Sequence, residues 1–245
     1  MPLLLSMNLW PTWLIDTRSI QLIMLVVIFI VLTVVVGSHL TMSLDDLVLM
    51  YFRSLQGNSY LDTVMITVTS LADVFTMVII ATVLTVIRST RKIGMIFLII
   101  IVIIAIFVMY TKPLIGRSAP PYKFSPSLKL PNHFTIEDDS IIPFARNFSY
   151  PSNHIAIATA FAFILGFRLN RNSHLAGLLI WFFPVAIALT KLYLMQHYLT
   201  DAISGFVLGL IVSIVLSNAM GLDKPFLMSR FKGKEDTTTE AEKID

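Results

Sequence analysis

Apolar residues fall in six long runs, approximately Ile20–Val36, Val64–Ile87, Ile93–Tyr110, His154–Phe167, Leu175–Leu194 and Leu199–Ser217. Most approach the ~20 residues a helix needs to cross about 30 Å of hydrocarbon. The fourth is short, and the Pro-Ser pair ahead of it moves its expected start back to Ser152. The pattern predicts an all-α fold, an integral membrane bundle of six transmembrane helices. Between the first two runs, Ser43 to Gln56 sets apolar side chains at helical spacing with Asp45, Asp46 and Arg53 interspersed. Two readings fit those letters: a helix lying in the membrane interface, or an ordinary connecting helix with Ser43 as its N-cap.

The polar segments divide the rest. Thr111 to Pro151 holds seven of the eleven prolines and a mixed set of charges. A loop of that length is expected to be functional, an extracytoplasmic loop or lid. The segment from Gly221 to Asp245 is polar and rich in threonine and glutamate, and is expected to be a disordered cytoplasmic tail. The expected organisation is therefore a membrane domain over 1–221 and a tail over 222–245. Trp10 and Trp13 are rings of the kind found at headgroup level. No basic n-region or small-residue cleavage site precedes the first run, so it reads as a retained span.

Composition agrees. Charged residues make up 13% of the 245, hydrophobic ones 56%, and the mean hydropathy is +0.80. Soluble domains carry roughly 25% charge. The absence of cysteine excludes disulfides and thiol chemistry. A net charge of +3 without a basic run gives no nucleic-acid footprint. With both termini in the cytoplasm, eleven of the 18 Lys and Arg residues fall inside, at higher density than in the long outer loops. The five basic residues of Thr111–Pro151 are the exception, which points either to an inverted topology or to a use for those cations other than topology.

Three short pieces carry chemistry. In Thr190–Asp201 (TKLYLMQHYLTD), His197 and Asp201 are four apart, on one face if the stretch is helical. A carboxylate there can hold one imidazole nitrogen and leave the other nucleophilic, with Lys191 as a nearby cation. In Lys112–Pro120 (KPLIGRSAP), Lys112 and Arg117 either clamp an anionic group or snorkel to the interface. In Tyr150–His154 (YPSNH), a helix start offers free N–H groups to a phosphate, with His154 as a proton donor; a plain capped helix with an interfacial histidine fits equally. No HExxH pattern accompanies the His-Asp pair, and Glu137–Asp139 reads as a solvated loop, so no metal and no cofactor is expected. In the topology above, all three pieces lie at one membrane face.

In order and spacing these pieces resemble the signature of the type 2 phosphatidic acid phosphatase superfamily, membrane lipid phosphate phosphatases related to vanadium haloperoxidases. That signature is lysine, six residues, arginine-proline; then proline-serine-glycine-histidine; then serine-arginine, five residues, histidine, three residues, aspartate. The resemblance spans about Ser43 to the end of the sixth run. It implies His197 as the nucleophile that forms a phosphohistidine, Asp201 as its orienting carboxylate and His154 as the general acid. Ser152 and Lys112 are implied as phosphate ligands, and no metal is implied. Ala119, Asn153, Thr190 and Lys191 depart from the pattern. Asn153 and Lys191 then stand in the phosphate seat in place of glycine and arginine, and Arg117 is a substitute for the cation missing at position 119. The implied activity is hydrolysis of a lipid phosphate or diphosphate, such as undecaprenyl diphosphate or phosphatidylglycerol phosphate, at the outer face of a plasma membrane. The two alternatives are a catalytically impaired relative that binds a lipid phosphate or a protein partner, and a lipid phosphotransferase.

Overall fold

The computed structural model describes residues 17–127 and 145–223. Trp10, Trp13, the central part of the Thr111–Pro151 segment with Glu137–Asp139, and the tail beyond Asp223 lie outside the described residues. The described residues form nine helices: α1 Ile20–Gly37, α2 Met42–Ser54, α3 Ser59–Ser70, α4 Val74–Val86, α5 Arg91–Ile115, α6 Asn153–Asn170, α7 His174–Leu179, α8 Phe182–Tyr193 and α9 Leu199–Ala219. One isolated antiparallel bridge, Ser118 to Phe148, is the extended pairing among them.

The six apolar runs map onto these helices with one correction. The second run is not one straight helix: α3 and α4 meet at Leu71–Asp73 with a bend of 48°. The break has a local cause, because Asp73 is the N-cap of α4 and its extended backbone cannot continue a helix. Four helical segments are long and apolar enough to cross a membrane, namely α1, α5, α7 with α8, and α9; the bent pair makes five. The fourth run, α6, is not among those segments. Its ends carry Asn153, His154, Arg168 and Asn170, and its first eight residues are all buried inside the bundle.

The core sits where α5, α6 and α9 meet, built from Ile96, Phe97, Ile100, Ile104, Ile155, Ile157, Leu208 and Ile214. The outward faces stay apolar, as lipid contact requires: Ile23, Val27, Ile30 and Val34 of α1 are more than half exposed. α2 starts at Met42 with Thr41 at its cap, ahead of the expected Ser43. It buries Asp45 and Leu49 against its neighbours while Leu44, Leu47 and Tyr51 face outward. α5 runs five residues beyond the expected Tyr110, and Gly116 closes it at φ 69, its N–H donating to the Lys112 carbonyl over 3.0 Å.

The described start of the Thr111–Pro151 segment is strapped down. Asp62 of α3, fully buried, accepts from Ser127 N and Oγ at 2.8 Å each and from the Tyr193 hydroxyl at 2.5 Å. Arg53 lies over the Tyr122 ring at 4.1 Å.

Candidate active site

The site is built at the start of α9. Met195 takes a left-handed φ of 57, turning the chain after α8. Tyr198 then caps α9, and Asp201, third in the helix, accepts the Tyr198 N–H at Oδ2 over 2.9 Å. His197 Nδ1 stands 3.7 Å from the same oxygen. The expected single helical face is therefore corrected: His197 precedes the helix by two residues, and the carboxylate reaches back across the helix start to meet it.

Close packing brings a second helix start alongside. A Cβ on Gly205 would lie 2.5 Å from the Ser152 carbonyl oxygen, and one on Gly209 would lie 2.4 Å from that of Ala156. These contacts advance together along both helices, so α6 and α9 run parallel with their N-termini at the same end. Small residues permit this approach, and each N-terminus contributes a partial positive charge. Ser152 N donates to the Asp201 carbonyl over 3.3 Å. Ser152 is the N-cap of α6 but makes no side-chain cap; its buried Oγ has no hydrogen-bond partner among the described residues. His154, one residue inside α6, places Nε2 at 3.9 Å from Oδ1 of Asp73 at the α3–α4 bend.

The cations divide into two kinds. Lys112 in the last turn of α5 and Lys191 in the last turn of α8 are both buried, and Lys191 Nζ donates to Gln196 Oε1 over 2.8 Å. Arg117 is held by carboxylates. One terminal nitrogen donates to Asp201 Oδ1 at 2.7 Å and to Thr200 Oγ1 at 2.6 Å, and the other to Asp45 Oδ2 at 2.5 Å. Its plane lies over the Tyr198 ring at 4.1 Å. Asp45 also accepts from Thr200 N at 3.0 Å and Thr200 Oγ1 at 2.7 Å. The expectation that Arg117 reaches a phosphate therefore meets a guanidinium whose two terminal nitrogens already bind Asp45 and Asp201. Ser149 N donates to the Arg117 carbonyl, and Ala119 N to that of Asn147, pinning the two ends of the loop. Ala119 itself is exposed, and the Thr190 hydroxyl donates to its own helix at Ile187.

All eight expected site residues are buried: Lys112, Arg117, Ser152, Asn153, His154, Lys191, His197 and Asp201. Burial pushes the Tyr198 phenol above its ordinary range, and does the same to Tyr150, whose hydroxyl shares a 2.7 Å hydrogen bond with Thr33. Both stay neutral near pH 7, so Tyr198 offers Arg117 an uncharged ring. Among the described residues no group of three His, Asp or Glu side chains is arranged to hold a metal ion. Sequence reasoning missed the roles of Asp45, Asp73 and Thr200. The one available signal was carboxylates in a charge-poor chain, which burial in a membrane protein makes costly without a partner.

A family model described as the PAP2 superfamily matches residues 93–225. The match begins at the start of α5 and takes in all eight site residues. A solved structure, described as the first transmembrane PAP2 type phosphatidylglycerolphosphate phosphatase from Bacillus subtilis, has the same fold. Its TM-score is 0.64 at 20% identity, covering 84% of this chain and 98% of that one. No curated protein matches the sequence.

Proposed function

Because the chain belongs to the PAP2 superfamily, we propose that it is a membrane lipid phosphatase working through a phosphohistidine. The observation that carries this is the parallel start of α6 and α9. It sets an imidazole beside a carboxylate, at 3.7 Å, next to a helix N-terminus with a buried serine hydroxyl that has no hydrogen-bond partner among the described residues. In the first step His197 attacks phosphorus: the N–P bond forms, the P–O bond to the lipid breaks, and His154 gives its proton to the leaving oxygen. Asp201 orients the ring. In the second step water, deprotonated by His154, displaces the phosphate from His197. Ser152 Oγ, Asn153 and the N–H groups of α6 receive the equatorial oxygens, with Lys112 and Lys191 balancing their charge. No step calls on a metal ion.

The substrate class follows from setting and likeness. A site at the membrane-facing ends of helices takes a lipid phosphate or diphosphate. The similar solved structure being a phosphatidylglycerolphosphate phosphatase favours a phosphatidylglycerol phosphate-like or undecaprenyl diphosphate-like lipid. In this reading the enzyme is a six-span protein of the plasma membrane, with α6 as the central span, α2 in the interface, both termini cytoplasmic and the site on the outer face. Purified protein in detergent is expected to release phosphate from such lipids in the presence of a chelator, and His197→Ala to reduce release by at least about 10³-fold. Unchanged release from His197→Ala would sink the assignment.

One observation favours a second reading, a lipid-phosphate-binding relative with impaired turnover: position 119 carries a methyl group, and the neighbouring Arg117 is already engaged. Near-zero release from the native protein, raised strongly by Ala119→Arg together with Lys191→Arg, would select it.

A further inference from the structure

Asp45 lies on α2, outside the family-matched stretch, and 155 residues from the threonine it binds. It is fully buried, and it grips the same guanidinium as the carboxylate facing His197. We infer that Asp45 is a positioning residue for phosphoryl transfer: by offsetting the charge of Arg117, it leaves the Asp201 carboxylate free to balance the positive charge that grows on His197. The inference rests on the phosphatase reading above.

The argument is one of formal charge in a buried place. With Arg117 alone at 2.7 Å, Asp201 would be neutralised by its partner, and His197 would face a pair of no net charge. Asp45, at 2.5 Å from the other terminal nitrogen, restores one negative charge to the cluster. When the imidazole bonds to phosphorus while keeping its other proton, the ring gains one positive charge, and the cluster with the ring then sums to zero. That compensation acts only as charge develops, so it lowers the barrier rather than tightening substrate binding. The backbone enforces the geometry. Thr200 N and Oγ1 both donate to Asp45, which docks the start of α2 against the first turn of α9, and Tyr198 covers the guanidinium from one side.

A merely structural clip would make a different prediction. Asp45→Asn, Arg117→Gln and their double variant are compared with the native protein in detergent, measuring kcat and KM for lipid phosphate. Binding of orthovanadate, which bonds to the same nucleophile without turnover, is measured in parallel. Asp45→Asn is expected to lower kcat at least about tenfold and to move KM by less than about threefold. Asp45→Asn with Arg117→Gln removes one charge of each sign, and is expected to regain at least about threefold in kcat over Asp45→Asn. Asp45→Glu, which keeps the charge but disturbs packing more, is expected to retain more kcat than Asp45→Asn. Vanadate affinity is expected to follow the same order. A double variant no better than Asp45→Asn, or Asp45→Glu below Asp45→Asn, overturns the positioning role and leaves the phosphatase reading standing. A native protein without phosphate release removes the phosphatase reading, and the positioning role for phosphoryl transfer falls with it.

Discussion

At the scale of single residues, Ser152 separates structure from chemistry. A serine N-cap normally stabilises its helix by about 1 kcal/mol through its side-chain oxygen. Here Oγ makes no cap and no other hydrogen bond among the described residues, so its removal breaks no hydrogen bond among them. Ser152→Ala is therefore expected to leave stability within about 0.5 kcal/mol, read as the thermal midpoint in detergent. In the proposed mechanism the same change lowers kcat/KM at least about tenfold, because a phosphate oxygen loses its donor. A drop in stability with unchanged kinetics would assign the hydroxyl to the fold. Arg117 teaches the converse. Its position five residues after Lys112 was plain in the sequence, but its carboxylate partners were not. Its partners are 72 and 84 residues away, and spacing along the chain carries no information about them.

At the scale of elements, the site depends on how closely α6 and α9 approach. Gly205 and Gly209 are one turn apart and face backbone carbonyls, which cannot rotate aside as a side chain could. Gly209→Ala is expected to cost about 1–3 kcal/mol by overpacking. Gly205→Ala, whose Cβ would meet the Ser152 carbonyl, is expected also to lower kcat by displacing the start of α6. Gly37, with nothing within 4 Å of its would-be Cβ, is the control, and Gly37→Ala is expected to change stability by less than about 0.5 kcal/mol. Equal effects at all three positions would remove the close-approach argument. The bend between α3 and α4 belongs to this scale too. A continuous apolar run hides it, because hydropathy is blind to where the backbone leaves the helical conformation, and the bend is what brings Asp73 to His154.

At the scale of the whole molecule, parallel α6 and α9 put the site at one end of the bundle. At the opposite end Lys92 donates to the Gly221 carbonyl. The basic-residue bias predicts that the Lys92 end is cytoplasmic. The cysteine-free chain allows a direct test. In intact cells a membrane-impermeant maleimide is expected to label Lys123→Cys, in the exposed part of the outer loop, and to reach Arg88→Cys only after permeabilisation. Labelling in the reverse order would put the site on the cytoplasmic side and overturn the proposed localisation.

Much was legible from sequence because the relevant physics is local. A membrane forces apolar runs of helical length, so the helical class, the membrane setting and most helix positions follow from composition and period. His197 and Asp201 are near neighbours in sequence, and the order of the three short pieces identified the family that the comparison then matched. Tertiary structure alone decided the rest. It showed that His197 stands before its helix rather than on it, and that the second apolar run is broken. It also gave Arg117 to two carboxylates and buried Asp45 of α2 against the start of α9. The reason is common to the last two. A buried charge must find its partner wherever packing delivers one, and in this chain those partners come from helices far apart in sequence.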